Sequence, residues 1–87
     1  MKTICELTAI CSDGLLRASW PKPLDFPGVI TTGHVVVINP EYASRKPEVV
    51  FVSLQEGSQQ LRFSERYTGI PKSVIKPQLE EEGWEVA

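Results

Sequence analysis

Two cysteines, one histidine and one methionine are all that this 87-residue sequence offers in those residue types. No apolar run approaches the 18 or so residues needed to cross a bilayer. Each scarcity removes a class of function. Structural zinc sites need about four ligands, commonly with paired Cys-x-x-Cys spacing. Cys5 and Cys11 lack that spacing, and with His34 they make only three soft ligands. Neither a metal nor any other cofactor is expected. A nucleophile activated by an imidazole base would have to use His34. No Gly-x-Ser-x-Gly elbow or comparable partner accompanies it, so no catalytic set is expected and the chain reads as a non-enzyme. The six glycines are scattered singly beside turn signals, which excludes a glycine-rich phosphate loop. An excess of basic residues is also missing, since 9 Lys and Arg oppose 11 Asp and Glu for a net charge of -2. Polyanion binders normally carry a clearly basic domain.

What is present is an ordinary globular composition, 41% hydrophobic and 23% charged, well away from the region of disorder. At this length residues 1–87 are expected to form one domain with a single core. Such a chain buries only about 60 to 65% of its unfolded surface, so self-association is an expected way of completing it. Cys5 and Cys11 fall in one extended segment. Six residues at about 3.3 Å each put them roughly 20 Å apart, beyond the reach of about 7 Å that a disulfide needs. Two unpaired thiols, the broken apolar character of 1–12 and the lack of a spanning segment suggest a cytoplasmic protein without membrane contact.

The segment TICELTAICSDGLLRASW alternates, turns at Ser12-Asp13-Gly14 and resumes, which predicts a β-hairpin. Cys5, Leu7, Ala9 and Cys11 share its more apolar face and are expected inward. PKPLDFPG, with three prolines, predicts a stiff loop. TGHVVVINP and PEVVFVSLQ are dense in β-branched residues and predict two strands. Apolar residues on both of their faces suggest central positions in a closed or covered sheet. In 60–67, Leu61, Phe63, Glu65 and Tyr67 alternate with Arg62, Ser64 and Arg66, so the rings are expected inward and both arginines outward. Pro71 suits the first turn of a helix, a second turn through Gln78–Glu82 would end at Gly83, and 84–86 could add a terminal strand. These elements predict a mainly β fold: a small five-stranded SH3-like or OB-like barrel with a short C-terminal helical turn. The alternative is an α+β fold with one helix packed on an antiparallel sheet.

Two surfaces stand out. Trp20, Pro21, Pro23 and Phe26 place large apolar groups on a stiff loop, the kind of anchor that protein interfaces favour because little entropy is lost on docking. They predict a protein-interaction module, adaptor, inhibitor or small subunit of a larger assembly, binding a protein partner or forming a homo-oligomer. The alternative site is basic: Arg62, Arg66, Lys72 and Lys76 give residues 61–76 a local charge of +3, beside a tail of -4 from Glu80, Glu81, Glu82 and Glu85. Those four cations would suit a small nucleic-acid-binding barrel. The inward aromatics and nearby glutamates make nucleic acid the lesser expectation.

Overall fold

The computed structural model describes all of residues 1–87. β1 (Lys2–Cys11) and β2 (Gly14–Ser19) form the first hairpin, and β3 (Leu24–Asp25) is a two-residue strand. A long connection holding the single 3-10 turn Pro40–Tyr42 leads to the second hairpin, β4 (Glu48–Gln55) and β5 (Ser58–Arg66). α1 (Lys72–Glu81) and β6 (Glu85–Val86) complete the chain. The main strand order is β4-β5-β1-β2-β6, with β3 paired to the start of β1.

The protein is mainly β, and its sheet is open and six-stranded in place of the expected closed five-stranded barrel, the unexpected strand being Leu24–Asp25 within the proline-rich segment. The end strands β4 and β6 do not pair, and the two hairpins are joined side by side in parallel, β1 against β5 from Lys2↔Ser58 to Ile10↔Arg66. The β1–β2, β4–β5 and β2–β6 pairs are antiparallel. The helix-on-sheet alternative therefore describes the layering, with a mixed rather than a purely antiparallel sheet.

Period-two alternation separates the faces. Thr3, Cys5, Leu7, Ala9 and Cys11 of β1 are buried, as are Leu16 and Ala18 of β2 and Gln59, Leu61 and Phe63 of β5. Ile75 and Leu79 of α1, together with Trp84 and Ile38, close over this face. α1 packs on β1, β2 and β6 only. The β4 side is covered instead by the long connection, through Ile30, Val36 and Ile38. The opposite face of the sheet carries Glu6, Thr8, Arg17, Arg62, Ser64 and Arg66 and has no second layer.

Three expectations are corrected here. TGHVVVINP is not a strand. Val35 makes one isolated bridge to Glu48, and Val36 N–H donates to the Pro47 carbonyl at 3.1 Å. The segment then leaves the sheet, because Asn39 Nδ2 donates to the Glu82 carbonyl at 2.7 Å and ties it to the end of the helix. PEVVFVSLQ is a strand, yet β4 lies at the edge and not in the centre. The two helical turns are one continuous helix that runs through Pro77. It is entered without a side-chain cap of its own, and Asp13 Oδ1 of the first turn accepts from the Lys72 N–H at 2.9 Å instead.

The helix ends at Gly83, as the sequence indicates. Trp84 N–H donates to Leu79 O at 3.0 Å and Gly83 N–H to Glu80 O at 3.1 Å. Together they form the paired bonds of a Schellman motif, with Gly83 at φ 107°. The ring of Trp20 lies over this turn, 2.8 Å from where a Cβ would stand. Glycine is thus required twice, by its dihedral and by its neighbour.

Candidate interaction surface

Trp20 begins where β2 ends, its N–H donating to Cys5 O at 2.9 Å. The indole packs edge-on against Trp84 with ring centroids 5.2 Å apart. Phe26 is half-buried against the core, and the N-terminal ammonium donates both to its carbonyl and to Asp25 Oδ1. Pro21 and Pro23 are exposed. The structure therefore uses the two rings of this loop in its own packing and presents the two prolines to solvent.

The basic residues divide between two sides of the sheet. Arg62 and Arg66 project from β5 onto the open face, as the alternation predicts, and Arg17 joins them from β2 opposite Thr8. Lys72 and Lys76 belong to α1, which packs on the other face. Arg62 is already engaged. Its Nε lies 3.7 Å from Glu6 Oε2, and its guanidinium carbon sits 5.0 Å above the centre of the Phe51 ring. Glu6 also accepts from Gln60 Nε2 at 2.8 Å. A shallow polar depression of about 390 Å³ lies between Arg17, Arg62, Glu6 and Ser19.

His34 is exposed in the long connection, with Nδ1 2.9 Å from the Thr31 hydroxyl and 3.0 Å from the Thr31 carbonyl. Cys5 and Cys11 are buried free thiols on the core side. Burial pushes the Cys5 thiol up to about 12, which suppresses the nucleophilic thiolate.

One cluster was not legible as such. Arg45, in the expected polar connection, reaches across to the helix end and clamps Glu82 with two bonds, Nε to Oε1 at 2.5 Å and Nη2 to Oε2 at 2.9 Å. Its Nη1 donates to Glu65 and to the Tyr67 hydroxyl, and that hydroxyl donates to Glu65 Oε1 at 2.7 Å. The Arg45 and Glu82 side chains are only 13% and 12% exposed. Burial works against the guanidinium charge, but the bonds to Glu82 and Tyr67 and the nearby Glu65 outweigh it, so Arg45 is held charged beyond its ordinary range. Burial and the Glu65 carboxylate push the Tyr67 phenol up to about 12 despite Arg45. Glu82 is thus part of a structural clamp and not of a solvated acidic tail.

The largest apolar exposure lies elsewhere. Of the nine exposed large hydrophobic residues, six (Val29, Val35, Val37, Val50, Phe51 and Leu54) fall on β4 and the connection beside it. An apolar cavity of about 350 Å³ opens there, between Val29 and Ile30 on one side and Val50, Phe51, Val52 and Leu54 on the other. Its wall is fixed from below by buried Gln59. That amide accepts from Ile30 N–H at 2.9 Å and donates to Gly28 O and Thr3 Oγ1, each at 3.0 Å.

The outer edge of β4 is covered only at its start. Val49 donates to His34 O at 2.8 Å and accepts from Gly33 N–H at 2.9 Å. A bulge follows between Val49 and Phe51. From Phe51 to Gln55 the strand runs regularly against β5, and no backbone group of that strip bonds to anything outside the sheet. The sequence signal for this surface was apolar character on both sides of PEVVFVSLQ. That signal suggests central burial, and it fits equally an edge strand that keeps an adhesive flank. Comparison with protein-family models, curated proteins and solved structures gives no match to this chain.

Proposed function

We propose that this chain is a non-catalytic protein-interaction module that binds a protein partner or a copy of itself through the flank of β4. The observation that supports the reading is the concentration of exposed Val29, Val50, Phe51 and Leu54 around one apolar cavity beside an uncovered strand edge. Contiguous apolar exposure of this kind marks interaction sites in folded proteins. Trp20 and Phe26 are half-buried in the packing of the fold itself, at the end of β2 and beside the N-terminus, and exposed Pro21 and Pro23 next to them form a separate candidate contact away from β4. The role is that of an adaptor, an inhibitor or a small subunit.

The test is affinity capture with the full chain from its native host after nuclease treatment, comparing wild type with Phe51→Lys/Leu54→Lys and with Trp20→Ala/Phe26→Ala. The reading expects the β4 pair to abolish specific capture. Capture unchanged by that pair defeats it.

A second reading, single-stranded nucleic acid on the open face, is favoured by Arg17, Arg62 and Arg66 sharing that face. Three cations of which one is paired with Glu6 predict weak, salt-sensitive binding. Fluorescence anisotropy with labelled single-stranded RNA and DNA at low salt tests it. No binding, or binding unaffected by Arg62→Glu/Arg66→Glu, removes it.

A further inference from the structure

We infer that the occupant of the free β4 edge is a second copy of this chain, joined by antiparallel pairing of the Phe51–Gln55 strips about a two-fold axis at Ser53. This rests on the interaction-module reading and names the partner.

The argument begins with what an edge strand normally does. Exposed edges are blunted by charge, proline, bulges or covering loops. Here the devices stop partway. The connection at Gly33–Val36 and the bulge protect the strand as far as Val50. The strip beyond, Phe-Val-Ser-Leu-Gln, contains no charge and no proline. It is five residues long and bounded by the bulge on one side and the Glu56-Gly57 turn on the other. An antiparallel copy of equal length fits that window when the axis passes through its central residue.

A two-fold axis perpendicular to the sheet sets each residue against one with its side chain on the same face. With the axis at Ser53, the pairs are Ser53 with its own copy, Val52 with Leu54 and Phe51 with Gln55. Val52 shares the core side with Leu61, its β5 neighbour, and Leu54 shares it with Gln59. The dimer therefore lays Leu54 of each copy beside Val52 of the other, against the apolar cavity that Val29 and Ile30 wall off. Phe51 lies on the open face under Arg62, where Gln55 of the other copy extends its cover.

Electrostatics permit this register. The nearest charge, Glu56, falls opposite Val50 of the second copy and meets no like charge, whereas like charges directly opposed would destabilise the pair. The result is one sheet continuous through two protomers, held by main-chain bonds that supply affinity and by Leu54 and Val52, which fix register. A five-residue strip buries less than a standard interface, so the dimer is a weak, concentration-dependent one.

Sedimentation equilibrium of the full chain, from about 10 µM to about 1 mM, reads the association directly. The mass should rise from the 9.7 kDa protomer toward twice that value. Ser53→Lys and Ser53→Glu each place like charges at the axis and should stay protomeric at least tenfold further up the concentration range. Mixed in equal amounts, the two should associate again, because the axis now pairs opposite charges. Circular dichroism melts of each variant show that it is folded. A wild type that stays protomeric to 1 mM overturns the inference. So does either charged variant that associates like wild type, or a mixture that remains protomeric. If wild type is protomeric while Phe51→Lys/Leu54→Lys still abolishes partner capture, the second-copy assignment fails and the interaction-module reading stands. Capture that ignores the pair defeats the latter, whatever the mass.

Discussion

Replacing Arg45 by Met removes the one cation that holds together the end of α1, the end of β5 and the long connection. The substitution keeps most of the aliphatic stem and removes the guanidinium. Left behind are Glu65 and Glu82, whose side chains are 18% and 12% exposed, together with the Tyr67 hydroxyl. Removing one member of a fully buried pair costs about 3–5 kcal/mol, chiefly because the other charge is stranded. Partial exposure lets water reach both carboxylates, so a cost of about 2–4 kcal/mol is expected. For a domain whose whole stability is on the order of 5–10 kcal/mol, that is a large share. At about 5–6 °C per kcal/mol for a chain of this size, Tm should fall by about 10–20 °C. Urea denaturation followed by circular dichroism gives the free energy directly. A double-mutant cycle with Glu82→Gln isolates the pair, and its coupling should lie at about 1–3 kcal/mol. A loss below about 0.5 kcal/mol for Arg45→Met, or a coupling indistinguishable from zero, would refute the clamp as a stabilising element.

Gly83→Ala should cost about 2–4 kcal/mol, since it combines a positive φ with a Cβ directed into the Trp20 ring. A changed tryptophan emission spectrum should accompany the lower Tm, and a melt within 1 °C of wild type would contradict the packing. Gln59→Leu should cost about 1–3 kcal/mol by stranding the Ile30 N–H and the Gly28 carbonyl. The same change should speed amide exchange at Ile30 while the β1–β2 amides keep their rates, and an unaltered Ile30 rate would speak against the anchor. Cys5 and Tyr67 both have folded pKa values raised to about 12, from 9.0 and 10.0. Each group therefore favours the folded state fully below its unfolded value and loses that contribution as pH climbs toward 12. The unfolding free energy from urea melts should fall from about pH 9 for Cys5 and from about pH 10 for Tyr67, with a slope of up to about 1.4 kcal/mol per pH unit for buried Cys5 and a smaller one for half-buried Tyr67, whose charge solvent screens, and Cys5→Ala should flatten the part that begins near 9. A thiol reagent at pH 8 should leave Cys5 unmodified in folded protein, and prompt labelling would show that the site opens.

The first hairpin, the inward set from Cys5 to Cys11 and the split of Phe63 from Arg62 were all legible, because one period of two governs each segment and each is paired with a neighbour close by or in strict register. The tertiary decisions were not. VVVI at 35–38 has the composition of a strand, but Asn39 and Arg45 bind the helix end, and those bonds hold the segment away from the sheet after a single bridge. Parallel pairing of β1 with β5 leaves no local trace, since the contact spans more than fifty residues. Without it, two hairpins and a short helix suggest a closed barrel as readily as an open sheet. Glu82 illustrates the same limit. Within a run of three glutamates nothing distinguishes it, and only the fold puts it in reach of Arg45. The apolar flank of β4 was visible as composition, and its assignment to an edge required knowing that the connection stops covering the strand at Val49.

Amide hydrogen exchange at β4, measured on the full chain at low and high protein concentration, tests the central claim most directly. The account predicts that amides between Val52 and Leu54 exchange at least several-fold more slowly in the concentrated sample, while those of α1 keep their rates. Equal rates for β4 at both concentrations, with slowing at another surface or at none, would contradict it.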